Sequence, residues 1–130
     1  MIEPTILAPL HTKSPPTTLE VRIGSDVFSH PKAAKVFCQT IEAMGLEKVQ
    51  QLGLTASALP LVSLTSPATR RGFMAVGKYF VVTHSSTREK KATLEQAAEM
   101  LKIPIQVRII SKDEVQNALL NELLADLEDN

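Results

Sequence analysis

Two short segments alternate apolar and polar residues, which is the period of a β-strand with one buried and one solvated face. They are residues 19–23 (LEVRI) and 105–109 (IQVRI). Residues 59–65 predict a further strand, which Pro60 places at a sheet edge or a strand start. Residues 73–83 are rich in Val, Phe and Tyr and nearly continuously apolar. They predict one central strand.

Apolar residues recur at spacings of three and four in two internal segments, which predicts helices with one buried face. The first lies between Pro31, which a first helical turn tolerates, and Gly45, a typical helix stop. A short further turn of helix is expected over 46–52. The second begins at Ser86, where Ser86 and Glu89 have the spacing of a capping box.

Another capping box, from Ser111 to Glu114, opens a last helix with a broad apolar stripe. The stripe contains Val115, Leu119, Leu120, Leu123, Leu124 and Leu127. The element order is therefore strand, helix, strand, strand, helix, strand, helix.

The first six elements match a ferredoxin-like split βαβ fold (β-α-β-β-α-β), an α/β class of the α+β type, with the last helix added. Residues 19–130 are predicted to form this single domain. Residues 1–18 hold four prolines and predict an extended arm that either adds an edge strand over 5–7 or lacks regular structure. A three-layer mixed-sheet α/β fold is the alternative, because one sequence does not reveal strand order.

In the ferredoxin-like fold one sheet face lies away from the two main helices. The residues expected there are Glu20, Arg22, Gln106 and Arg108. We expect the last helix either to cover this face or to pack against the same helix of a second copy, which makes homo-oligomerisation a hypothesis.

The amino-acid composition limits the classes of protein to which the chain can belong. The chain has 44% hydrophobic and 22% charged residues, as ordinary globular domains do. The single cysteine, Cys38, excludes an internal disulfide and is expected to be a buried thiol. The beginning of the chain has no basic leader, and prolines interrupt its apolar run, so we expect no signal peptide, no membrane span and a cytoplasmic location.

Charge is unevenly distributed although the formal net charge is zero. Residues 70–110 carry eight basic and three acidic side chains, a difference of +5, whereas residues 111–130 carry one basic and six acidic side chains, a difference of −5. A basic middle and an acidic end attract anions, each other or a second copy of the chain.

The passage from the 73–83 strand to the next helix is the most concrete candidate for a site. A helix start attracts anions, and hydroxyl and basic side chains add donors. The candidate anion-binding residues are Ser85, Ser86, Thr87, Arg88, Lys91, Arg70 and Arg71, with Lys90 adding positive potential. A phosphate-bearing ligand or nucleic acid is the corresponding partner. The competing interpretation is that Ser86 merely caps the helix and the basic residues are solvated.

The sequence supports a catalytic function less than it supports anion binding. His11, His30 and His84 are scattered and lack metal-binding spacings, so no metal and no cofactor are expected. Asp26 and His84 form an acid–base pair beside Ser85 only if their two strands are parallel neighbours, and the ferredoxin-like order separates them. The leading hypothesis is a non-enzymatic interaction or regulatory module with an anion-attracting basic patch. A small enzyme or ligand-binding protein using the passage around His84 is the alternative.

Overall fold

The computed structural model describes residues 16–67 and 71–128. The expected edge strand over 5–7 and most of the predicted arm lie outside these residues. The described chain is a mixed α+β fold with antiparallel sheets and four helices. The helices are α1 (Ala33–Met44), α2 (Leu46–Gln51), α3 (Thr87–Leu101) and α4 (Lys112–Glu128).

The strands of the described residues form three sheets. They are β1 (Thr17–Ile23), β2 (Asp26–Ser29), β3 (Thr55–Ala56), β4 (Leu59–Pro60), β5 (Val62–Ser63), β6 (Phe73–Val76), β7 (Tyr79–Val82) and β8 (Ile105–Ser111). The sheet orders are β2-β1-β8, β3-β4 and β5-β7-β6. Every strand pair among the described residues is antiparallel, which argues against the mixed-sheet alternative.

The two alternating segments pair with each other. β1 and β8 are in register from Thr17 opposite Ser111 to Ile23 opposite Ile105. Leu19 and Val21 are fully buried, as the alternation predicts. A strand that the sequence did not predict flanks β1, because Gly24 at φ +59° allows a tight turn. Asp26 is the first residue of this added strand, β2.

The prediction of one long strand over 73–83 is wrong. This segment is a hairpin of β6 and β7, and Gly77 at φ +60° lies in its turn. The predicted strand over 59–65 is likewise divided, into β4 and β5. The ferredoxin-like order is not confirmed, because it pairs the first and third predicted strands in one sheet, whereas here β1 and β7 belong to different sheets.

One hydrophobic core joins both larger sheets to α1 and α3. Its fully buried members include Leu19 of β1, Ile41 of α1, Val81 of β7 and Leu94 of α3. Cys38 is buried, as predicted, with its Sγ 3.7 Å from the sulfur of Met74. Burial raises the pKa of the Cys38 thiol to about 11.

Helix α4 does not cover the outer face of the first sheet. The side chains of Arg22 and Arg108 remain 56% and 59% exposed there. Arg108 forms ion pairs with Glu20 at 3.5 Å and with Glu114 at 3.6 Å. Among the described residues, no helix has the length and apolarity that spanning a bilayer requires.

Candidate functional site

The loop over 83–86, between β7 and α3, is fixed by its contact with Gly72. The N–H groups of Thr83 and His84 both donate to the Gly72 carbonyl, at 2.7 and 3.1 Å. Gly72 has a φ of +85°, and a Cβ at this position would lie 2.7 Å from the Cβ of His84. A side chain at position 72 would therefore push the loop away, so glycine holds Arg71 and His84 close together.

A second contact comes from the hairpin of β3 and β4. Its two turn residues, Ser57 and Ala58, have φ values of +54° and +64°, the signs of a type I′ turn. This turn type favours Asn and Gly, and other residues cost about 1 kcal/mol each in this region. The Ser57 hydroxyl donates to the His84 carbonyl at 2.8 Å, which joins the strained turn to the loop.

Lys90 of α3 holds the 83–86 loop in place through hydrogen bonds. Its side chain is 5% exposed, and its ammonium donates to the carbonyls of Thr83 at 2.9 Å and Ser85 at 2.6 Å. The same ammonium lies 5.9 Å from the ring centre of Phe37. Burial lowers the pKa of Lys90. This cation is therefore directed into the protein, so the interpretation that the basic residues here are solvated is wrong for Lys90.

The predicted capping box at the start of α3 is confirmed. The Ser86 hydroxyl accepts from the Glu89 N–H at 3.0 Å, and the Ser86 N–H donates to the Glu89 carboxylate at 2.8 Å. These bonds lower the pKa of Glu89. For Ser86 the structure therefore shows the capping role that the competing interpretation gave it.

The other predicted anion-binding residues have different surroundings. Thr87 shares a 3.4 Å hydroxyl–hydroxyl contact with Thr17. Lys91 forms an ion pair with Glu95 at 2.8 Å. Arg88 is exposed. Arg70 lies outside the described residues.

A pocket of about 410 Å³ opens between the β3–β4 turn, residues 71–72 and the loop. We call it the His84 pocket. Its lining residues are Ser57, Leu59, Arg71, Gly72, Val82 and His84. A smaller pocket of about 250 Å³ also reaches Ser57, and Ser85 and Glu89 line it. The structure thus brings Arg71 and His84 to one pocket, while Ser85 belongs to the neighbouring one.

The contribution of Ser57 and Leu59 was not predicted from the sequence. Neither residue type carries a motif, and the type I′ turn that presents them has no Asn or Gly. The long-range hydrogen bond from Ser57 to the His84 carbonyl brings this turn to the site.

The proposed acid–base pair is not brought together. Asp26 pairs with Ile23 at the end of β1, whereas the loop with His84 leads to Thr87, which contacts Thr17 at the beginning of β1. A strand of this length spans about 20 Å. Asp26 and His84 therefore lie towards opposite ends of the first sheet.

Within the described ranges, no group of three or more His, Cys, Asp and Glu side chains is arranged to hold a metal ion. No family model, curated protein or solved structure matches the chain.

Proposed function

We propose that the protein is a non-enzymatic interaction module that binds a second copy of itself through α4. The observation that carries this proposal is a row of leucines that the chain does not bury. They are 48% to 64% exposed, and they are Leu119, Leu120, Leu123, Leu124 and Leu127.

The leucines occupy one side of the helix. At about 100° per residue they span an arc of about 140°, and Glu114 and Glu122 lie on the other side. The 17 residues of α4 make a helix about 25 Å long. The exposed leucines cover its later part, from Leu119 to Leu127, about 12 Å along the axis. An apolar surface with an acidic back is suited to packing against another helix.

Helix α4 also needs a partner for its own stability. Isolated helices of this length are marginal in water, and among the described side chains of α4 it is Val115 that the protein buries. An antiparallel pair centred on Leu123 places leucines opposite leucines and leaves the acidic back in solvent. Burying the exposed half of a leucine contributes about 1 kcal/mol, which favours association.

Sedimentation velocity of the full chain tests this proposal. We expect twice the chain mass for the unmodified protein and the single-chain mass for Leu123→Lys. Asn121→Lys introduces the same charge on the back of α4 and serves as the matched control, which should remain dimeric. A monomeric unmodified protein at tens of micromolar would refute self-association, as would equal effects of the two lysines.

Contact with a phosphate-bearing partner such as nucleic acid is a second candidate function. It is favoured by the exposure of Arg71 and Arg88 on either side of the 83–86 loop. Anisotropy of a labelled oligonucleotide at low salt measures it, with a salt dependence expected because phosphate binding releases counterions. Arg88→Glu combined with Lys91→Glu should weaken binding, whereas Lys78→Glu at the β6–β7 turn should reduce it less. No binding by the unmodified protein at low salt would remove this candidate.

A further inference from the structure

We infer that the His84 pocket binds a small molecule that combines one anionic group, a carboxylate or a phosphate monoester, with an apolar body. This inference uses no residue of α4. It is therefore independent of the proposed self-association.

The lining of the pocket has two chemical parts. Arg71 and His84 supply N–H donors, and a guanidinium matches a carboxylate or phosphate with two parallel hydrogen bonds. The Ser57 hydroxyl lines the pocket but already donates to the His84 carbonyl. Leu59 and Val82 supply an apolar wall. None of the described lining residues is acidic, which favours an anion over a cation. The volume of about 410 Å³ lies in the lower part of the range for small-molecule sites, about 300–1,000 Å³.

The backbone beside the pocket is also suited to an anion. The carbonyls of Thr83 and Ser85 accept from the Lys90 ammonium, and that of His84 accepts from the Ser57 hydroxyl. These three oxygens are thus directed to protein donors, which reduces their repulsion of a bound anion. Lys90 also places a positive charge immediately behind the loop.

The strained turn is a separate observation in favour of binding. Ser57 and Ala58 both adopt positive φ, and such strain persists where the surrounding structure fixes it, often at ligand sites. The turn presents Ser57 to the pocket, and the lining residue Leu59 follows directly. Gly72, which lacks a Cβ, allows the backbone of the opposite wall to approach the loop closely.

A titration with defined probes, followed by ¹⁵N-resolved NMR of the full chain, tests the inference. Phenyl phosphate and benzoate represent the two anion sources, while inorganic phosphate and benzyl alcohol each carry half of the required chemistry. We expect saturable shifts of the Ser57, Gly72 and His84 amides with at least one aromatic anion. That anion should bind about tenfold more tightly than either half-probe.

Arg71→Gln should weaken binding about tenfold, because a charged hydrogen-bond donor is lost. Arg71→Lys keeps the charge without the two-pronged geometry and should give an intermediate loss. Lys78→Gln is the matched control, since Lys78 lies at the closed end of the β6–β7 hairpin, whereas Arg71 lies at its open end. Thermal unfolding followed by circular dichroism checks that each variant is folded.

Three results would overturn the inference. The first is the absence of saturable shifts with both aromatic anions. The second is equal binding of inorganic phosphate and phenyl phosphate together with equal losses in Arg71→Gln and Lys78→Gln, which is nonspecific charge attraction. The third is an oligonucleotide that shifts the same amides at lower concentration than phenyl phosphate, which would assign the pocket to nucleic acid.

Discussion

Helices α3 and α4 begin alike and end in opposite environments. Ser86 caps α3, and the Ser111 hydroxyl accepts a hydrogen bond from the Glu114 N–H in the first turn of α4. Both sequences carry an apolar stripe. In α3 the stripe is in the core, where Leu94 is fully buried, whereas Leu123 in α4 is 57% exposed.

The difference arises from what each helix can reach. In the chain, helix α3 follows β7 and precedes β8. Its buried apolar residues belong to the same core as residues of β8 and α1. Helix α4 follows β8 directly, since Lys112 comes immediately after Ser111. Its first turn stays beside the sheet and buries Val115, while the later turns extend past it. Local sequence therefore specifies that a helix forms, and tertiary geometry decides whether its apolar side is buried.

Truncating one leucine in each helix should give the largest difference in the free energy of unfolding between the α3 and α4 variants. Leu94→Ala removes fully buried side-chain atoms and is expected to lower the free energy of unfolding by about 2–5 kcal/mol. Leu123→Ala removes atoms that are largely solvated in the single chain, so at concentrations at which sedimentation shows a monomer we expect a change below about 0.5 kcal/mol. Urea denaturation measures both. Similar losses would mean that α4 packs into the same core.

Alkaline pH should give the next largest difference between the two helices. The core beside α3 contains two ionisable groups, the thiol of Cys38 in α1 and the ammonium of Lys90 in α3 itself. The Cys38 thiol keeps its proton in the folded state up to a pKa of about 11, above the ordinary value of 9.0. The unfolded chain loses this proton first, so stability falls as pH rises between these values, by about 2–3 kcal/mol. Burial lowers the pKa of Lys90, which has the opposite sign and raises stability as pH rises through the lowered value.

Cys38→Ala removes the thiol contribution and also the thiolate charge that raises the pKa of Lys90, so the pKa of Lys90 falls further. Urea denaturation at a series of pH values above 8 should show a slope of stability against pH that is more negative for the unmodified protein than for the variant. The slope is the informative quantity, since the substitution also leaves a small cavity. Parallel profiles would show that the thiol does not titrate as its burial requires.

Removing the capping hydroxyl of each helix should give the smallest difference in stability between the two helices. Ser86→Ala is expected to lower the free energy of unfolding by about 1 kcal/mol, because α3 begins beside the core. Ser111→Ala should cost less, since fraying of α4 exposes few buried contacts. Equal costs measured by thermal unfolding would contradict this ranking.

The contribution of the Ser86 capping box should also depend on pH. Glu89 has a lowered pKa because it accepts from Ser86, so its contribution is present at neutral pH and is lost as pH falls through that lowered value. The difference between the unmodified protein and Glu89→Gln, which removes the carboxylate charge beside the Ser86 N–H, should shrink in acid. A constant difference would mean that the carboxylate does not support the cap.

Elements with a clear periodicity were predicted correctly. The strands β1 and β8 and the capping box at Ser86 depend on local chemistry, and the structure shows all three. The alternation fails at the end of β8, where Ile109 is exposed and Ile110 is buried. The strand predicted over 73–83 failed because its apolar residues concealed Gly77, whose positive φ turns the chain. Strand β2 was missed because four residues with little periodicity follow a tight turn.

The candidate site was predicted only in part. His84 and Arg71 were identified from residue type and position. Ser57 lines the same pocket, but it comes from a turn whose sequence lacks the residues typical of that turn type. Lys90 was expected either to add positive potential to the anion site or to be solvated, because lysines are rarely buried. Its burial depends on two carbonyls that only the folded loop presents.

The buried position of Lys90 makes it a natural reporter of motion in the 83–86 loop. Amine-acylating reagents need an accessible, neutral amine, so Lys90 should react slowly, after the loop separates from α3, while the exposed Lys78 reacts at once. The labelling rate of Lys90 then measures how often the loop opens. A compound that occupies the neighbouring pocket and slows this labelling, without affecting that of Lys78, would be detected even if it left every spectroscopic signal unchanged.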